Sequence, residues 1–354
     1  KVDVAPMKTD SRLVLPDKVP QVSWNRIWTV AQTGTPEEED LDLFAQVLGG
    51  SSSSRLDRRL VHQEKLVDNI SASYFGSQLS GGFQIGATIK QGVDPKKVEA
   101  IVDEELKKLL AEGPTQAELD QAKVAAKSGF IRQIERIGGF GGKADVLASC
   151  TIYQNNPGCF RTSLANMEKA TPASVKAAGN KWLKSGSLFA IVEPGERKPA
   201  AEEPSVARTA APAIGVANKK FKTLPAGVDR SLGVPKTESF PDLSFPALQR
   251  ATLSNGLNVV LASRPGIPVV QMNMLFGGGF STDAGKKLGT ASFATTMLSQ
   301  GAGEYDALAF AAKQESLGAN IGSGAGLDGA SASLSAIKEK LEPSLALYAE
   351  MLRK

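Results

Sequence analysis

The side chains that do most protein chemistry are scarce in this 354-residue chain, which holds one histidine and two cysteines. His62 lies in Leu60-Val61-His62-Gln63-Glu64, with no second imidazole to share a metal. Alone, it reads as a surface or partly buried structural histidine. Cys150 and Cys159 flank Asn155-Asn156-Pro157-Gly158. Two thiolates and one imidazole fall short of the four ligands of a structural zinc site. The cysteines are either unrelated, partly buried thiols or a disulfide that pins a short loop in an oxidising compartment. Spacing does not decide between these, because pairing depends on geometry.

Other stretches invite a site and then lose it. Gly322-Ser323-Gly324-Ala325-Gly326 lacks the Gly-Lys-Ser/Thr of a phosphate loop and does not lead into a helix. A closely approached strand explains it better. Serine is plentiful, but no G-x-S-x-G elbow accompanies it, and His62 has no placed Ser/Asp pair. Gly138-Gly139-Phe140-Gly141-Gly142 reads as a break or hinge between helices. The acidic run Glu37-Glu38-Glu39-Asp40 could suggest a cation site. It is better explained as a helix start, with Thr35 as N-cap, Pro36 in the first turn and acids at the positive end of the dipole.

The bulk properties agree with a folded chain. Hydrophobic residues make up 42 %, enough to bury a sizeable core in about two domains. The net charge is only +4, and no dense Lys/Arg stretch with interleaved aromatics marks a nucleic-acid partner. No run of about 18 apolar residues predicts a membrane span. No signal peptide is visible, but the chain opens on Lys1, so its true start is expected upstream.

The elements follow from periodicity and punctuation. Residues 1–19 read as a connector, and 22–31 as a strand with Trp24, Arg26, Trp28 and Val30 on one face. A helix then ends at Gly49-Gly50, and a second follows the serines at 51–54. Strands are expected over 69–76 and 83–90, with Gly81-Gly82 as their turn. Asp94-Pro95 opens a helix that Glu112-Gly113-Pro114 stops, and Thr115 with Glu118 forms a capping box for a helix reaching about Ile137. Helices continue to Lys184, and 187–192 is a closing strand. Residues 195–245, rich in Pro, Ala, Lys and Glu, read as a linker. Beyond it come strands at 258–262 and 269–276, introduced by the Asn255-Gly256 turn. Helices at 286–298 and 304–317, strands at 319–326 and 330–336, and a helix from Lys338 follow.

Both folded pieces therefore run strand, helix, helix, strand, strand, helix. Val22 matches Val269, Asn69 matches Ala319, Phe83 matches Ser331 and Asp94 matches Lys338, at a steady offset of about 245–250 residues. The expected fold class is α+β: two related modules, each an antiparallel sheet with helices on one face. The first runs on into further helices, whereas the second stops inside its third helix, so the chain is expected to be a fragment of a longer protein.

The second piece opens with Leu253-Ser254-Asn255-Gly256-Leu257-Asn258-Val259-Val260. Gly277-Gly278-Gly279-Phe280-Ser281-Thr282-Asp283 and Leu288-Gly289-Thr290-Ala291 follow. This resembles the start of a pitrilysin/insulinase-type module, a family of zinc metallopeptidases (inverzincins) that includes mitochondrial processing peptidase. The first piece, with Leu48-Gly49-Gly50-Ser51-Ser52-Ser53-Ser54-Arg55-Leu56 and Ser71-Ala72-Ser73, resembles the module that follows the catalytic one. In active members the G-x-A leads into H-x-x-E-H, two zinc-binding histidines one turn apart with a glutamate that polarises water. Here the matching positions are Ser292, Phe293, Ala294, Thr295 and Thr296. Ser292 and Thr296 replace the ligands and Thr295 the base, so the motif is degenerate and no catalytic or metal-binding residue is assigned in this chain.

The resemblance implies three parts: 1–194 as a non-catalytic module, 195–245 as a linker, and 246–354 as the first part of a second-half module. It implies that the chain shapes a peptide-binding chamber for an upstream catalytic module of the same parent, which would hold the zinc. The partners would be that module and a peptide or unfolded polypeptide, in a periplasmic or otherwise exported setting. The alternative is a non-enzymatic scaffold of the same fold, like the core subunits of respiratory complexes.

Overall fold

The computed structural model describes residues 4–197 and 244–353, together with 231, 233, 239, 240 and 242. The sequence-expected linker lies almost wholly outside these. Two compact units divide the chain, one of residues 1–197 with 267–354, the other of 198–266.

The first half of the larger unit is a five-stranded sheet of β1 (Ser11–Asp17), β2 (Val22–Val30), β3 (Val67–Gly76), β4 (Gly81–Ile89) and β5 (Leu188–Pro194), in the order β1-β5-β2-β4-β3. Residues 11–17 are thus no connector: β1 pairs in parallel with β5, Ser11 beside Leu188. The other pairs are antiparallel. Alternation sets the faces. Trp24, Trp28 and Val30 on β2 and Phe83, Ile85 and Ala87 on β4 are buried, while Ser71, Ser73, Gln84 and Thr88 lie on the other face. The buried face is covered by α1 (Glu38–Gly49), α3 (Pro95–Glu112), α4 (Gln116–Gln133) and α7 (Pro172–Trp182), whose Phe44, Leu48, Val102, Leu109, Leu119 and Val175 complete one core. Between α1 and β3 lie α2 (Arg55–Asp57) and a π-helical continuation, Arg58–Gln63. α5 (Lys143–Gln154) and α6 (Cys159–Lys169) form a helical hairpin between α4 and α7.

Local chemistry explains most helix ends. Asp94 accepts from the Lys96 amide at 2.9 Å and Pro95 follows it. Thr115 and Glu118 form a complete capping box, though α4 stops at Gln133 rather than near Ile137. α1 departs further from expectation. Its N-cap is Glu37, and the Thr35 hydroxyl instead donates to the Gln32 carbonyl. Glu38 turns back to accept from the Gly34 amide at 2.6 Å, and its own amide donates to the Thr35 carbonyl at 3.2 Å rather than to the Thr35 hydroxyl. Nor do Gly81 and Gly82 form the hairpin turn: residues 77–80 do, and both glycines lie in β4. A Cβ on Gly82 would stand 2.1 Å from the Phe75 ring, so a close cross-strand approach, not a turn, requires glycine there.

The rest of the larger unit repeats this plan. β8 (Val269–Gly277) is followed by a 3-10 turn at Phe280–Asp283, α8 (Thr290–Met297), the two-residue strands β9 (Gly301–Ala302) and β10 (Tyr305–Asp306), and α9 (Ala307–Leu317). β11 (Asn320–Ala325), β12 (Gly329–Ile337) and α10 (Leu341–Arg353) close it. Helix α8 starts four residues later than expected, because Gly285 and Gly289 both have positive φ and hold the chain in a loop. The sheet order β11-β12-β8 matches β3-β4-β2, all antiparallel. Pleat corrects the equivalence by one residue. Val270, Met272 and Met274 pair with Ala336, Leu334 and Ala332, the buried side of β12. Trp24, which pairs with the buried Ala87, therefore shares its face with Val270, Met272 and Met274, and matching Val22 to Val269 would turn each side chain to the wrong face. Phe310, Leu317, Leu347, Tyr348 and Met351 pack on this sheet, and Tyr348 donates to the Ala332 carbonyl at 2.8 Å.

Within the smaller unit, β6 (Leu248–Thr252) and β7 (Asn258–Ala262) form an antiparallel hairpin. Gly256 takes φ +84° in its turn, and the Asn255 side chain accepts from the Leu257 amide at 3.1 Å.

Candidate functional site

Helix α8 carries Ser292, Thr295 and Thr296 on consecutive turns. The carboxylate of the buried Asp283 accepts from the Ala291 amide at 3.2 and 3.3 Å and anchors the start of the helix. Thr295 Oγ1 donates to the Ala291 carbonyl at 2.9 Å, and Thr296 Oγ1 to the Ser292 carbonyl at 2.9 Å. Both hydroxyls are thus turned onto their own helix. Ser323 on β11 donates to the Thr295 carbonyl at 2.6 Å, tying the helix to the sheet. These side chains do not fit a zinc ion: they supply neither imidazole nor carboxylate, and the threonine hydroxyls are engaged with backbone. Among the described residues, no three His, Cys, Asp or Glu side chains converge as a cation site. His62 is half-buried in the π-helical turn, with Nε2 3.1 Å from Asp57 Oδ1.

The most developed polar cluster is one the sequence does not announce. It joins the two sheet-and-helix halves of the larger unit, where α4 packs on α9. Glu315 accepts from the Ser52 hydroxyl at 3.0 Å, from Gln121 Nε2 at 2.6 Å and from the Ser53 hydroxyl. Gln121 also donates to Ser53 Oγ at 2.6 Å. About three turns further along α4, Arg132 donates to the Ser335 hydroxyl and carbonyl, each at 3.1 Å, and to the Gly318 carbonyl. Burial pushes the Arg132 guanidinium below its ordinary pKa. Gly318 is left-handed at φ +58°, and a Cβ there would lie 2.8 Å from Ser128, which is buried. Ser52 and Ser53 belong to the serine run noticed in the sequence, but the Glu315 that both meet is more than 260 positions away.

A second feature lies beside α1. A cavity of about 420 Å³ is bounded by Glu38, Glu39 and Asp42 on one side and by Phe130, Tyr153, Phe160 and Met167 on others. Burial, and secondarily Glu39, pushes Asp42 up to about 6. Burial also raises Glu38 and Glu39. Glu39 Oε2 is buried without a hydrogen bond of normal geometry, although Ser163 and Asn166 stand near enough to favour its charged form. Cys150 and Cys159 line the same cavity and are joined as a disulfide, which decides between the two sequence readings.

Residues 3–125, which run from before β1 into α4, match the family described as the Peptidase M16 inactive domain. Over these residues the chain is thus similar to the non-catalytic domain of the M16, or pitrilysin-type, peptidases. No curated protein matches it. Among solved structures, it is similar to a protease from Helicobacter pylori, with 20 % identity over 53 % of this chain and 45 % of that one, TM-score 0.48. It is similar to a peptidase M16 inactive domain from Pseudomonas fluorescens, with 22 % identity over 55 % and 46 %, TM-score 0.46. It is also similar to the periplasmic protease PqqL from Escherichia coli, with 16 % identity over 97 % and 40 %, TM-score 0.43. The chain spans less than half the length of each of these three proteins.

Proposed function

We propose that this chain is a non-catalytic portion of a pitrilysin-type zinc metallopeptidase, and that it shapes the peptide-binding chamber for proteolysis by a preceding catalytic module. In this reading residues 1–194 form the inactive module, 195–245 the linker and 246–354 the start of a second-half module. The zinc belongs to the catalytic module, in a periplasmic or otherwise exported parent. The observation that carries the reading is the match of residues 3–125 to the inactive domain; the reading takes the helix that bears Ser292, Thr295 and Thr296 as the counterpart of the one that bears H-x-x-E-H in active relatives. Neither serine nor threonine is among the usual zinc ligands, and threonine lacks the carboxylate that activates water.

The test uses the purified chain in two assays. It should bind less than stoichiometric zinc and leave an unfolded polypeptide uncut. Added to its own catalytic module, it should lower the KM for a long peptide. Chelator-sensitive cleavage by the chain alone would refute the reading. Failure to alter the catalytic module's kinetics would leave the fold to a scaffold role instead.

A further inference from the structure

Helix α5 is held to the protein in an unusual way. Cys150 is its only buried side chain. Leu147, Ile152 and Tyr153 are exposed. Its side-chain hydrogen bonds stay local: Thr151 Oγ1 donates to the Leu147 carbonyl, and Asp145 accepts from the Gly141 amide. Beneath it are the acid-walled cavity of about 420 Å³ and an apolar one of about 230 Å³ lined by Phe130, Ile134, Val146, Leu147 and Phe160. An element resting on voids, with one buried side chain, belongs to the low-stability end of a protein's local opening equilibria.

The ends of α5 are suited to movement. Before it, Gly138, Gly139, Gly141 and Gly142 surround the exposed Phe140, and Gly139 and Gly141 take φ +78° and +79°. Around Gly138 and Gly139 an added Cβ would meet nothing within 4 Å, so these glycines are not required by packing. They give the backbone rotational freedom. After α5, Asn155 turns left-handed and the chain re-enters α6 at Cys159. The Cys150–Cys159 bond ties the far end of α5 to the start of α6, while its near end is held through the Gly138–Gly142 stretch by two backbone hydrogen bonds, from the Lys143 amide to the Arg136 carbonyl at 2.9 Å and from the Ala144 amide to the Ile137 carbonyl at 3.0 Å.

We infer that α5 is a hinged flap latched by the Cys150–Cys159 disulfide, and that reduction by a dithiol releases it and uncovers the cavities beneath. A thiolate of the dithiol attacks one cysteine sulfur, and the Cys150–Cys159 bond breaks as a mixed disulfide forms. The dithiol's second sulfur then displaces the cysteine. The dithiol loses two electrons and two protons and becomes a cyclic disulfide. Cys150 and Cys159 each gain a thiol proton. Both sulfurs belong to buried residues, so attack follows local fraying of α5, which its sparse packing allows.

The test is hydrogen exchange by mass spectrometry on the whole chain, oxidised and after complete reduction with dithiothreitol, with alkylation counting two new thiols. Amides of 143–158 should exchange at least tenfold faster after reduction, while those of β4 keep their rate. The C150S/C159S variant should show the same pattern without reductant. Should that variant not fold, the reduced wild-type chain gives the reading alone. Unchanged exchange in 143–158 after full reduction would overturn the inference. So would equal acceleration in β4, since the bond would then be a staple of the whole fold.

Discussion

Arg132 Nε donates to Ser335 Oγ at 3.1 Å, carrying a side chain of α4 onto a strand that lies 203 residues further along. The same guanidinium satisfies the Ser335 and Gly318 carbonyls, one on that strand and one at the end of α9. Together with Glu315 and its three donors, it makes the join between the two sheets a specific contact. Ordinary surface ion pairs contribute little, but a partly buried guanidinium that serves three acceptors does more.

Arg132→Met should therefore destabilise the chain by about 2–3 kcal/mol, because it removes charge-assisted hydrogen bonds and strands two carbonyls. Arg132→Lys should recover only part of this, since a lysine ammonium does not reproduce the planar fork. Urea unfolding measures both. An Arg132→Met midpoint equal to that of the wild type would contradict this account of the join.

Gly318→Ala should cost about 2–4 kcal/mol. The left-handed backbone contributes part, and contact with Ser128 contributes the rest. Gly324→Ala is the control: no atom lies within 4 Å of its added Cβ and its φ is not positive, so its change should stay within about 0.5 kcal/mol. Thermal unfolding of the two variants side by side decides the matter, and equal melting temperatures would sink it.

Asp42 supplies a pH dependence. Its folded pKa is raised from 3.8 to about 6. Below about pH 4 the carboxyl is protonated in both folded and unfolded chains and costs nothing. Between the two values the folded state takes up a proton, and above about 6 the full cost of a buried charge is present. As far as this group goes, stability thus rises as pH falls from 6 towards 4. Asp42→Asn should stabilise the chain by about 1–3 kcal/mol at pH 7.5 and change it little at pH 4. Denaturant titrations at both pH values test this, and a stabilisation of equal size at pH 4 would point to a cause other than ionisation.

Much of the fold is legible in the residues because its signals are local. Asp94-Pro95, Thr115 with Glu118, and Asn255-Gly256 all act where the sequence places them, since a cap or a tight turn is decided within four residues. The alternation of Trp24, Trp28 and Val30 likewise shows a buried strand face, and the repeated element order foreshadows the matching sheets. The same local rules leave Ser292, Thr295 and Thr296 on one helix.

What the sequence could not reach depends on distance along the chain. β1 is a strand because β5 lies beside it, some 177 positions away, and its own residues carry no decisive pattern. The one-residue shift between the two sheets appears only when the pleat shows which side chains of β8 meet the buried face of β12. Cys150 and Cys159 pair because the turn after α5 brings their sulfurs together, which spacing alone leaves open. Glu315 and Arg132 are unremarked in sequence because each draws its partners from remote segments. Residue types and short spacings thus determined most of the helices and several of their ends. Tertiary structure decided which edges pair, which faces match and which polar groups seal the join, because hydrogen-bond geometry and burial are set only when distant segments meet.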